Sequence, residues 1–128
     1  MKSEVKKHDL IHKTLQTYFG YTSFYPLQED IIHEVIKQHD VFVLMPTGAG
    51  KSLCYQLPSL LFDGLTIVIS PLIALMKDQV DGLIADGIPA AFINSSLSHG
   101  EINNRKQSLL NSEIKILYMA PERLMMPE

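Results

Sequence analysis

The chain has 128 residues, enough for one small domain with a core and too few for two. Its formal net charge is −3, and only Arg105 and Arg123 among eleven basic residues are arginines, so no bulk positive field advertises nucleic-acid binding. The lone Cys54 excludes an internal disulfide and no apolar run nears the ~20 residues that span a bilayer, so a cytoplasmic protein without a membrane partner is expected.

Residues 1–20 have the pattern of an amphipathic helix, with Leu10, Ile11 and Leu15 at helical spacing and Gly20 as its stop. The acids near the start and the missing apolar stretch argue against a signal peptide. Lys2, Lys6, Lys7, His8, His12 and Lys13 read as a solvated face of that helix, contact with a polyanion being the alternative. Pro26 suits the first position of a second helix, with Ile31, Ile32, Val35 and Ile36 as its inward stripe. His33 and His39 show no partner at metal-ligand spacing and read as surface histidines.

The apolar run 41–45 then reads as a buried strand, and Met45-Pro-Thr-Gly-Ala-Gly-Lys-Ser52 follows from its end into helix-compatible residues. Strand, glycine-rich loop and helix is the context of a phosphate-binding loop. Gly48 and Gly50 allow a tight turn and close approach of backbone to a phosphate chain. Backbone N–H groups of Thr47, Gly48, Ala49 and Gly50 and of the first helical turn then face the anion. Lys51 brings a point charge to the terminal phosphates, and the Ser52 hydroxyl is a ligand for Mg²⁺. The strict pattern asks for glycine where Met45 stands, so this loop is a variant; a plain tight turn is the alternative.

Beyond the loop, Pro58 is expected to interrupt the helix near its end, and Phe62-Asp-Gly64 to make a turn. Cys54 reads as a small buried apolar residue on this helix. Residues 65–69 form a β-branched run expected to be a strand buried on both faces. Leu72, Leu75, Met76, Val80, Leu83 and Ile84 predict a helix closed by Gly87, with Met76 in the core. A short strand over 90–93 and a helix opened by the capping box Ser98-His-Gly-Glu101 follow, the helix running to about Asn111. Residues 114–119 read as another strand, and Pro121-Glu122 starts a last helix. Strands alternating with helices predict an α/β fold with a parallel, doubly wound sheet.

Several segments, taken in order, resemble RecQ-type DNA helicases of superfamily two. They are Phe19-Gly-Tyr21 with Phe24-Tyr-Pro-Leu-Gln28, the loop through Leu57-Pro58, Ser70-Pro-Leu-Ile-Ala-Leu-Met-Lys-Asp-Gln-Val80, Asn94-Ser-Ser96, and Tyr118-Met-Ala-Pro-Glu-Arg-Leu124. Five ordered motifs are far more specific than a lone phosphate loop. The resemblance implies a partial RecA-like domain, the N-terminal portion of the first motor domain, occupying 1–128 as a single domain. It implies that Gln28 reads adenine with an amide that both donates and accepts, and that Tyr21 stacks on the base. Tyr25 stands where the family usually has arginine, which removes a cation near the nucleotide. The resemblance also implies that Ser70, Pro71, Asn94, Ser95 and Arg123 lie along the track for single-stranded DNA. Ser70-Pro71 is equally well read as the start of a helix, and Ser98 as a cap alone.

Hydrolysis at a phosphate loop needs an acid at a strand end to hold Mg²⁺ and position water. Run 65–69 ends at Ser70 and run 114–119 at Ala120; Asp63 leads into a turn. The family's Asp-Glu-x-His box is expected beyond Glu128, together with the second motor domain, so the chain alone is expected neither to hydrolyse ATP at a helicase-like rate nor to unwind duplex DNA. Without the acid-bearing strand, exposed apolar surface is expected to leave the chain marginal or self-associating. The resemblance thus reads as the ATP-binding segment of a helicase acting on single-stranded and duplex DNA. The alternatives are a non-catalytic nucleotide- or DNA-binding remnant and a small-molecule kinase, which would need an arginine-rich lid that is not seen.

Overall fold

A computed structural model describes residues 2–45 and 50–124, with side chains over 8–45 and 50–123. The chain forms two compact units, residues 1–63 and 64–128.

The first unit is helical. Helix α1 (Lys2–Thr14) runs into a π-helical turn (Leu15–Phe19), and Gly20, at φ 73°, ends it as expected. Helix α2 spans Gln28–Ile36 and α3 Leu53–Leu61. Ile11 and Leu15, Ile32, and Leu53 and Leu57, one or two from each helix, close the core, flanked by Phe19, Phe24, Ile36 and Leu61. Full burial of side chains of this size stabilises by about 1.5–3 kcal/mol each.

Three expectations for this unit are corrected. Helix α2 begins two residues after Pro26, because Leu27 takes a left-handed φ of 73° and Tyr25 C=O accepts the Gln28 N–H. Residues 41–45 form no strand; Phe42 is 92% and Leu44 88% exposed, and only Met45 of the run is buried. A strand exists only through a hydrogen-bonded neighbour, and this run has none among the described residues. Pro58 does not interrupt α3, which continues to Leu61 with Pro58 buried inside it. The lost N–H bond is the cost of an interior proline; here burial of the ring offsets it.

The second unit is a three-stranded, wholly parallel sheet, ordered β1 (Thr66–Ile69), β3 (Ile116–Met119), β2 (Ala90–Ile93). Helices α4 (Ile73–Ala85) and α5 (His99–Leu110) make the crossovers, and α6 (Pro121–Leu124) follows β3. Ile102 and Leu109 of α5 pack on Ala91, Ile93 and Leu117. Tyr118, on the opposite face by strand alternation, sends its hydroxyl toward Gln79 Oε1 of α4 at 3.5 Å. Helices therefore flank both faces, and the expected α/β architecture with a parallel sheet is borne out. Gly87 closes α4 at φ 84°, and Met76 is buried as expected. Strand β1 departs from expectation. Among the described residues it is an edge strand paired with β3, and Ile67 and Ile69, on one face of it, are 50% and 43% exposed. Among the described residues no helix is long and apolar enough to cross a membrane.

Candidate nucleotide site

Gln28 opens α2 and is 3% exposed. Its Oε1 accepts the Tyr25 N–H at 2.8 Å, and its Nε2 donates to Gly50 C=O at 3.0 Å. One amide therefore ties the Phe24–Gln28 turn to the last glycine of the phosphate loop, 22 residues away. Gly50 has φ +79°, and a Cβ there would lie 2.0 Å from Gln28 Nε2 and 3.3 Å from the Tyr25 ring. Only glycine satisfies both the backbone conformation and the space.

Lys51 and Ser52 sit immediately before α3, where Lys51 is exposed and Ser52 half-buried. An anion at this helix end meets unpaired backbone donors and the positive end of the helix dipole. A hydroxyl oxygen is the donor type that Mg²⁺ takes alongside phosphate oxygens and water. Thr47, Gly48 and Ala49 lie outside the described residues. Cys54 is buried with its Sγ 3.8 Å from Gly50 C=O, and burial pushes its thiol above the ordinary value, as an inert core cysteine requires. Tyr21 and Tyr25 are 59% and 60% exposed, open to a stacking partner. Beside them Phe24, Tyr25, Leu27, His12 and Asp30 help line a cleft of about 380 Å³.

In the second unit, the register places Ile69, Met119 and Ile93 side by side. Ser70, Ala120 and Asn94 consequently share the carboxyl edge of the sheet, where parallel α/β sheets bind ligands. Pro71, Ser95 and Arg123 stand within three residues of that edge, Pro71 and Ser95 exposed and Arg123 half-buried. Ser70 Oγ accepts the Leu72 N–H at 3.1 Å. The Asn94 side chain turns inward: it is 4% exposed, its Oδ1 accepts the Ser96 N–H at 2.8 Å, and its Nδ2 meets Met76 sulfur at 3.4 Å. Among the described residues no carboxylate directly follows a strand end.

The DEAD/DEAH box helicase family model matches residues 25–127. The chain belongs to the DEAD/DEAH box helicase family. Relatives within it include "ATP-dependent DNA helicase RecQ" from Haemophilus influenzae, 51% identical over 111 residues, 87% of this chain and 18% of that one. The protein of the same name from Bacillus subtilis is 51% identical over 111 residues, 86% of this chain and 19% of the relative. The expected resemblance to RecQ-type helicases is borne out, and the chain spans about a fifth of the length of these relatives. The crystal structure of a hypothetical ATP-dependent RNA helicase from Sulfolobus tokodaii superposes with a TM-score of 0.72 at 21% identity, covering 91% of this chain and 35% of that one. That likeness shows the helicase fold.

The structure also gathers residues that the sequence reading left dispersed. His33, expected to lack a partner, lies across from His8, with Glu29 between them on the same helix. The readable signal was a pair of i, i+4 spacings, His8 with His12 and Glu29 with His33, which place each pair on one helix face. His39 is a surface histidine, 60% exposed and paired with Glu34 at 2.7 Å.

Proposed function

We propose that this chain is the ATP-binding segment of an ATP-dependent DNA helicase of RecQ type, forming the N-terminal portion of its first motor domain. The observation that carries the reading is the bond from buried Gln28 to Gly50, which couples the turn that would hold the base to the loop that would hold the phosphates. The names of the RecQ relatives support ATP and DNA as the ligands.

In this reading ATP supplies the free energy and Mg²⁺ neutralises phosphate charge. The chain's own residues bind and orient. Backbone N–H groups of Thr47, Gly48, Ala49 and Gly50 cradle the phosphates. Lys51 places its ammonium on the terminal phosphates and stabilises charge that develops there in the transition state. Ser52 Oγ is the protein's ligand to Mg²⁺, and Tyr21 covers one face of the base. The polar edge of Gln28 that remains beyond its two internal bonds meets adenine, so Gln28 senses base and loop together. Ser70, Pro71, Asn94, Ser95 and Arg123 hold the phosphates of single-stranded DNA along the sheet edge, Asn94 by supporting the backbone that presents Ser95 and Ser96. Among the described residues no acid directly follows a strand end, and in this reading the 128-residue chain binds ATP but does not turn it over; hydrolysis and unwinding of duplex DNA belong to the whole enzyme.

Titration of the chain with a fluorescent ATP analogue and Mg²⁺ tests this reading. Saturable binding is expected, weakened about tenfold or more in Lys51→Ala, with phosphate release no faster than in buffer, with or without single-stranded DNA. Absence of binding in a folded sample, or DNA-stimulated hydrolysis by the chain alone, overturns it.

A further inference from the structure

We propose that His8, Glu29 and His33 form a site for a divalent transition metal of the zinc type, fastening α1 to α2. Glu29 Oε2 lies 3.2 Å from His8 Nδ1, 2.7 Å from His12 Nε2 and 4.0 Å from His33 Nε2. The ligand atoms of His8, Glu29 and His33 all fall within 4.8 Å of one another. Around a tetrahedral Zn²⁺ with bonds of about 2.0–2.1 Å, ligand atoms stand roughly 3.4 Å apart. The His8 side chain is 52% exposed, and its ring stacks parallel to that of His33 with centroids 6.2 Å apart.

Each helix contributes an i, i+4 pair, His8 and His12 from α1 and Glu29 and His33 from α2. The i, i+4 spacing puts both members of each pair on one helix face, so the two pairs can face each other. The donor set of two imidazoles and one carboxylate suits zinc better than a hard cation, which prefers oxygen ligands throughout. His12 serves a different purpose. Its Nε2–H donates to the Glu29 carboxylate, and its ring meets Phe24 edge-on with centroids 5.1 Å apart. A carboxylate held by such an outer bond is oriented for a metal before the metal arrives. His12 is therefore a positioning residue, and the three ligands leave a fourth position for water.

The structural reason for a metal here is the shape of the contact. Beneath the cluster, Ile11 and Leu15 meet Ile32 in the core. Above it, the imidazoles of His8, His12 and His33 converge on the single carboxylate of Glu29. A metal cation accepts electron pairs from the unprotonated nitrogens of His8 and His33 and from Glu29 Oε2, the atoms that already converge. The ligand residues lie outside the phosphate loop, and His12 and Glu29 line the same cleft as Phe24 and Tyr25.

The test is calorimetric titration of ZnCl₂ into the full chain after chelator treatment, repeated on variants whose far-UV circular dichroism matches the parent. One equivalent is expected to bind. His8→Ala and His33→Ala should each weaken binding about tenfold or more, and His12→Ala by a smaller factor. His39→Ala, which removes an exposed histidine paired to a different acid, should leave it unchanged. Co²⁺ bound in place of Zn²⁺ should give the intense visible absorption of a four-coordinate site, lost in His33→Ala. Absence of saturable binding, equal binding by parent, His8→Ala and His33→Ala, or an equal loss in His39→Ala overturns the proposal.

Discussion

At the scale of single residues, Gln28 and Gly50 are the pair that joins the start of α2 to the residue before Lys51. Gly50→Ala would force a left-handed φ on a residue with a Cβ and drive that Cβ against Gln28 Nε2. Gly64 makes an internal comparison, since it has φ +89° but nothing within 4 Å of a built Cβ. Gly64→Ala should therefore cost only backbone strain, about 1 kcal/mol. Gly50→Ala adds the loss of a buried hydrogen bond, about 1–3 kcal/mol more. Urea unfolding of the two variants measures the difference, and equal losses would show that the Gln28 contact has no energetic weight. The position of Lys51 and Ser52 directly before a helix was legible in the sequence, from the glycine-rich run followed by helix-compatible residues. The inward role of Gln28 was not, because a bond across 22 residues leaves no local pattern. For the same reason His33 was read as isolated, although its partners lie on its own helix and on α1.

At the scale of elements, local signals were legible and neighbours were not. The capping box at Ser98 is formed as expected: Glu101 N–H donates to Ser98 Oγ at 3.2 Å, and Ser98 N–H donates to Glu101 Oε1 at 3.1 Å. Strand β2 spans 90–93 as expected, although two of its four residues are alanines. By contrast, 41–45 and 65–69 were both read as buried strands from composition, which reports what a residue prefers but not what pairs beside it. Ser98→Ala should cost about 1 kcal/mol through loss of the cap. The Ser98 backbone and side-chain bonds hold the Glu101 carboxyl below its ordinary value of 4.5. A lowered native value means that the stabilisation is complete above the unfolded value and is lost as pH falls through the native one. Ser98→Ala should move the Glu101 titration upward, read by carboxyl NMR. A Glu101 titration unmoved in Ser98→Ala would show that the hydroxyl has no part in holding the charge.

At the scale of the whole molecule, the family was legible from ordered motifs, whereas the exposure of β1 was not. Among the described residues strand β1 pairs only with β3, and Leu65, Ile67 and Ile69 are 42%, 50% and 43% exposed. An apolar strand with an open edge is a template for a second copy, and burying its side chains in an interface recovers about 25 cal/mol per Å². Self-association of the 128-residue chain is therefore expected to rise with concentration, seen as increasing mass in light scattering. The double variant Ile67→Lys/Ile69→Lys should stay monomeric over the same range, because two like charges on adjoining copies repel and neither side chain is needed in the core. The first unit also exposes Phe42 and Leu44, so the converse variant, Phe42→Lys/Leu44→Lys, separates the two sources. If β1 is the template, this second variant associates as the parent does. A parent that remains monomeric at every concentration, or association abolished only by the second variant, would remove β1 from the explanation.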